Sequence, residues 1–272
     1  MTIATKITTA ALLGTALISS PAAAGIGDLL VAPTRIVLDG RRGAEIILNN
    51  IGDEPATYRV SVEFRRMTRE GDLVEVSEPT AEDKLVQDMI VYAPRRITLP
   101  PRQPQSIRIS ARPPQGLPDG EYRVHMLFRA IPPATPIAAQ TADKPKGLSF
   151  NLTPVYGVTI PVIVRLGNLD ATAGITNVRL ATRDGKPAVA LDLTRSGSRS
   201  TFGEVRVLKA GLKDPIAIQR AVAVYKEIGA RQVSIPVDDS MKGQLSGPVT
   251  VQYVETYGDG TRTIAETKTV LR

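Results

Sequence analysis

The stretch GLSFNLTPVYGVTIPVIVRLG, residues 147–167, is an unusually long run with a period of two. Leu148, Phe150, Leu152, Tyr156, Val158, Ile160, Val162 and Val164 share one parity; Ser149, Asn151, Thr153, Gly157 and Thr159 occupy the other. Side chains two residues apart on a strand point to the same face, so the run reads as a β-strand with one apolar and one more polar face. Pro154 and Pro161 have no N–H to give to a ladder, which places part of this strand at a sheet edge or a bend. An apolar edge strand invites pairing with another chain, and its presence needs a reason.

Outward from this strand, the same period recurs in shorter pieces. Residues 29–39 read as one strand bent at Pro33 and closed by an Asp39-Gly40 turn. Residues 44–48 follow, then 56–64, in which Tyr58, Val60, Val62 and Phe64 alternate, and a turn at Glu70-Gly71-Asp72. Ile107 and Ile109 alternate with arginines; Tyr122, Val124, Met126 and Phe128 alternate again as an inward row. No segment carries a helical period, and short strands punctuated by Gly and Pro describe an antiparallel sandwich. A polar connection over residues 131–146 leads into the long strand, and its length is that of a mobile loop. Beyond it, strands are expected at 175–181, 188–193, 204–209, 221–225, 232–237, 248–257 and 261–271, with turns at Asp184-Gly185 and Asp259-Gly260. The simplest architecture is two β-sandwiches with a boundary at residues 166–170.

Composition sets the class. Lys6, the apolar residues 7–18 and Ala22-Ala23-Ala24 read as a secretory signal peptide over residues 1–24, with Gly25 as the mature N-terminus; no membrane insertion is expected after cleavage. Cysteine is absent, so an exported chain of this length must be held by burial alone. The net charge is +7, from 34 Lys and Arg against 27 Asp and Glu. These basic residues are scattered among acids without interleaved aromatics, which describes a solvated surface rather than a nucleic-acid site.

Catalysis has few candidates. His125 is the only histidine, and its parity opposes that of Val124 and Met126, so an exposed strand position is expected for it. One His and no Cys assemble no zinc site, and neither a Gly-rich phosphate loop nor a nucleophile elbow occurs. No catalytic residue, metal or cofactor is assigned. Binding is what the long strand invites, because an unpaired edge bearing large apolar side chains can be completed by a strand from another protein. Packing of the same face in the chain's own core is the alternative, above all for residues 158–164.

The segments APTRIVLDG, APRRITLPPRQPQSIRI and GEYRVHMLFRAIPP, followed by the long strand, resemble in order and spacing the first domain of PapD-like periplasmic chaperones of chaperone-usher pilus assembly. YVETYGDG resembles, more weakly, a hairpin of that family's second domain. The resemblance implies an all-β chain of two immunoglobulin-like β-sandwich domains at an angle. Residues 25–166 would form an N-terminal chaperone domain carrying a donor strand, and residues 167–272 a C-terminal domain.

It also implies a function: pilus or fimbrial subunits are held in the periplasm by donor-strand complementation and passed to an outer-membrane usher. Leu148, Phe150, Leu152, Tyr156 and Val158 would be the donor side chains, and Arg35 the anchor for the subunit's C-terminal carboxylate. The family's second anchor, a lysine, falls at Pro161, leaving Thr159 as the nearby hydroxyl. Glu121 and Arg165 match two members of an interdomain ionic network whose third, an aspartate, falls at Thr256 beside Glu255. Two other classes compete with this reading. A structural or adhesive surface module needs no open edge, and an enzyme or small-ligand binder needs a concave polar pocket.

Overall fold

The computed structural model describes residues 29–132, 155–257 and 260–272. The expected signal peptide, most of the connection over residues 131–146, Leu148, Phe150, Leu152 and Asp259 lie outside them.

The first sandwich has two sheets. One contains β1 (Leu29–Ala32), β3 (Ala44–Asn50), β9 (Pro104–Ala111) and β7 (Ile90–Ala93), in the order β1-β3-β9-β7. The other contains β2 (Ile36–Leu38), β11 (Gly157–Leu166), β10 (Gly120–Ile131), β4 (Ala56–Glu63) and β8 (Arg96–Leu99), in the order β2-β11-β10-β4-β8. Ile46, Leu48, Ile107 and Ile109 of the first sheet pack in one core with Tyr58, Val60, Val124, Met126, Phe128, Ile160, Val162 and Val164 of the second. Burying each large side chain contributes about 1.5–3 kcal/mol, which is what holds a chain without disulfides.

The bent strand expected over residues 29–39 is two strands in different sheets. The chain leaves β1 at Pro33, crosses the sandwich and enters β2, which runs parallel to β11 through Ile36–Val162, Val37–Ile163 and Leu38–Val164. A proline forces a change of direction but does not say into which sheet the chain turns. The purely antiparallel expectation fails at this one pairing for the same reason.

A helix, α1 (Ala81–Met89), stands where none was expected. Thr80 caps it: the Thr80 hydroxyl accepts from the Asp83 N–H at 3.1 Å while the Asp83 carboxylate accepts from the Thr80 N–H at 3.0 Å. This reciprocal pair satisfies two donors that an uncapped helix would leave orphaned. Asp83, Val86 and Met89, at intervals of three, are its buried face. The capping pattern Thr-Ala-Glu-Asp was legible, but two buried apolar positions are too few to show a period.

The second sandwich pairs β12 (Ala171–Arg183), β13 (Lys186–Gly197) and β16 (Ala230–Pro236) against β15 (Ala217–Val224), β14 (Thr201–Leu208), β17 (Gly247–Tyr257) and β18 (Gly260–Leu271). Its core is built from Val189, Leu191, Leu193 and Ile235 on one side and Val205, Val207, Val249, Val251 and Tyr253 on the other. Asp184 and Gly185 both have positive φ, 52° and 75°, the conformation of a tight hairpin turn between β12 and β13.

A small hairpin of β5 (Arg65–Met67) and β6 (Leu73–Glu75) leaves the first sandwich and lies on the second. The Gln232 N–H donates to the Arg69 carbonyl at 2.7 Å. Met67 joins Ile163, Ala223 and Tyr225 in a third buried cluster at the seam.

Candidate functional site

The crossing at Pro33 decides where the site forms. It delivers Arg35 to the entry of β2, one residue before Ile36, which is level with Val162 of β11. Arg35 therefore stands level with Pro161, where β11 loses its second neighbour. Residues 157–161 pair with β10 on one side, and among the described residues no strand lies on the other.

The Arg35 guanidinium projects into the seam between the sandwiches. Its Cζ is 4.5 Å from the centre of the Phe202 ring and 5.9 Å from that of Tyr225. Nη2 is 3.5 Å from Ser200 Oγ, at the long limit of a hydrogen bond. Nη1 is buried with no hydrogen-bond partner, and among the described residues no carboxylate lies within ion-pair distance of Arg35. Burial pulls its pKa below the ordinary arginine value, opposed by Tyr225 and reinforced by Arg165; an arginine nevertheless stays charged. A desolvated cation with an unfilled N–H is a receptor for an anion, and a carboxylate fits its planar fork.

Beside it, Glu121 of β10 is 2% exposed. It accepts from Arg165 Nε at 2.9 Å, from the Ser200 N–H at 3.1 Å and from the Ser200 hydroxyl at 2.9 Å. Arg165 Nη2 also reaches the Ser200 carbonyl at 3.2 Å and the Ser200 hydroxyl oxygen at 3.4 Å. Glu121 and Arg165, from neighbouring strands of the first sandwich, thus meet at Ser200 of the second. Neither Thr256 nor Glu255 completes this pair. Thr256 is exposed, and Glu255 binds Arg199 through two hydrogen bonds of 2.9 and 3.1 Å, with Arg262 at 3.5 Å.

A second clasp crosses the seam. Arg123 of β10 lies over the Tyr225 ring with Cζ 3.5 Å from its centre, donates to the Arg65 carbonyl at 3.0 Å and pairs with both oxygens of Glu227. The same carboxylate accepts from the Met67 N–H at 2.9 Å. Burial pushes the Glu227 carboxyl up, but the Arg123 guanidinium and the Met67 N–H outweigh it and hold the pKa below the usual carboxylate value.

His125 corrects the sequence reading. It is fully buried, and neither ring nitrogen has a hydrogen-bond partner. Burial first, then the charges of Arg123, Arg65 and Arg66, push its pKa down to about 3. Parity placed it correctly on the face opposite Val124 and Met126; that face is itself covered, with Arg65 and Arg66 among the charges that reach the ring.

The strand residues separate. Tyr156 is 55% exposed, whereas Val158 packs against the first sandwich's own core, as do Ile160, Val162 and Val164. The Thr159 hydroxyl donates to Glu63 at 2.9 Å, and the hydroxyl beside Arg35 is that of Ser200. Ser200, Phe202, Tyr225 and Glu227 were not singled out in the sequence. They lie from 35 to 190 residues from their partners at the seam, and no local pattern links such positions. Among the described residues no cluster of three or more His, Cys, Asp or Glu side chains is placed to hold a metal ion.

No protein-family model matches the sequence, and no curated protein matches it. Solved structures do resemble the chain. The E. coli chaperone DraB is 17% identical, over 90% of this chain and 96% of that one, with a TM-score of 0.45. The Pseudomonas aeruginosa CupB2 chaperone is 11% identical, over 89% and 100%, with a TM-score of 0.46. A chain of the complex of Salmonella enterica SafA pilin with the SafB chaperone is 15% identical, over 90% and 97%, with a TM-score of 0.44.

Proposed function

We propose that this chain is a periplasmic chaperone for pilus or fimbrial subunits, which it holds by lending a strand and delivers to an outer-membrane usher. The observation that carries the reading is Arg35, a desolvated guanidinium with an unfilled N–H and, among the described residues, no carboxylate within ion-pair distance. Leaving such a group unpaired costs stability, and a site built to be filled is the economical reason for keeping it. The partner's chain end would supply the carboxylate, and its last strand would lie along the edge of β11 that residues 157–161 leave open. Upstream, Leu148, Phe150 and Leu152 would continue as donor side chains, with the exposed Tyr156 the described residue of the same parity nearest to them.

The test is native mass spectrometry of the chain purified from periplasm after co-expression with candidate subunits. A one-to-one complex, reduced at least tenfold by Arg35→Ala while circular dichroism stays that of the parent and the melting temperature does not fall, is the expected result. A complex indifferent to Arg35→Ala would remove the anchor from the mechanism. A chain that leaves every subunit insoluble would favour a surface module instead.

A further inference from the structure

The Arg165 guanidinium next to Arg35 is already paired with Glu121, so a carboxylate would meet one unfilled guanidinium. We infer that Phe202 and Ser200, both from the second sandwich, are positioning residues that hold Arg35 ready for that carboxylate. The inference rests on the reading of Arg35 as the anchor. An arginine free in solvent gives up rotamer freedom when it is fixed by a ligand. Here that freedom is already gone. The Phe202 ring faces the guanidinium at 4.5 Å, and Ser200 Oγ stands at 3.5 Å from Nη2.

Stacking occupies the flat face of a guanidinium and leaves its N–H edges in the plane for a carboxylate. The hydroxyl has a definite polarity too. Its single proton goes to the buried Glu121, so its oxygen turns lone pairs toward Arg35 and Arg165. Nη2 is thereby directed to Ser200, and Nη1 is the group left without a partner. The contact between sandwiches would on this account do more than fix their geometry. It would complete a binding site to which each contributes, and preorganisation would replace a second unfilled guanidinium.

The experiment uses the full chain and a short synthetic peptide of alternating valine and threonine, made with a free C-terminal carboxylate and as the C-terminal amide. Calorimetry gives the ratio of the two affinities for the parent, Phe202→Leu, Phe202→Tyr and Ser200→Ala. We expect the parent to prefer the carboxylate, Phe202→Leu to cut that preference roughly tenfold, and Phe202→Tyr, which restores an aromatic face, to recover it. Ser200→Ala should lower it as well, and it reads the same ratio should Phe202→Leu fail to fold. Binding of the amide should be unchanged in every folded variant. A parent without preference would overturn the anchor and this inference together. A parent preference kept intact in folded Phe202→Leu and Ser200→Ala would overturn only the positioning role.

Discussion

At the scale of single residues, the instructive case is His125, the histidine whose parity was read correctly and whose exposure was not. A strand of a sandwich has one face on its own core; β10 has the second face covered as well, so Glu121, Arg123 and His125 become interior residues. The consequence is a dependence on pH. His125 titrates at about 3 in the folded chain and at about 6.5 when unfolded. As pH falls through that window the unfolded chain takes a proton that the native state refuses, so stability drops; above it His125 contributes no slope. His125→Leu should therefore gain on the parent by roughly 2–3 kcal/mol between pH 8 and pH 4, read by urea denaturation at both. Parallel pH profiles for the two proteins would show that the buried ring takes up its proton as readily in the native state as in the unfolded chain.

At the scale of elements, the hairpin of β5 and β6 shows how a local signal can be complete and still not reveal its use. The turn Glu70-Gly71-Asp72 is read directly from composition, and Gly71 has φ +97°, which only glycine adopts without strain. Docking adds what the turn does not contain. A Cβ at Gly71 would sit 2.3 Å from Arg231 Nε, and Arg231 is tied down by its 2.7 Å hydrogen bond to the Ala223 carbonyl. Gly71→Ala should cost about 1–3 kcal/mol and release the hairpin from the second sandwich. Hydrogen exchange checks this: the Met67 and Gln232 amides, bonded to Glu227 and to the Arg69 carbonyl, should lose protection while the amides of β13 keep theirs. The helix α1 is the converse case, with its capping signal in the sequence and its packing supplied by the fold.

At the scale of the whole molecule, the two sandwiches are joined by buried charge rather than by area alone. Glu121 meets Ser200 and Arg165 in one cluster, and Glu227 meets Arg123 and Met67 in another. Such pairs fix geometry more than they stabilise, because desolvation consumes most of the Coulomb gain. Glu121→Ala would leave the Ser200 N–H buried without an acceptor and should cost about 1–3 kcal/mol of docking free energy. Small-angle scattering should record a changed profile with circular dichroism unaltered; an identical profile would show that the second clasp and the docked hairpin set the relative placement without Glu121. The sequence by itself determined the strands of the second sandwich, where β14 alternates buried and half-buried residues without a break, and the core-facing row of Ile160, Val162 and Val164. It could do so because a period of two is written locally, by neighbours that share a face. Only the tertiary structure decided that residues 29–39 divide between two sheets, that His125 is buried, and that Arg35 meets Phe202 and Ser200 across more than 160 residues of chain. Periodicity says which side chains lie together on a face; what covers that face is settled by distant segments, and at the seam of this protein the cover is another sandwich.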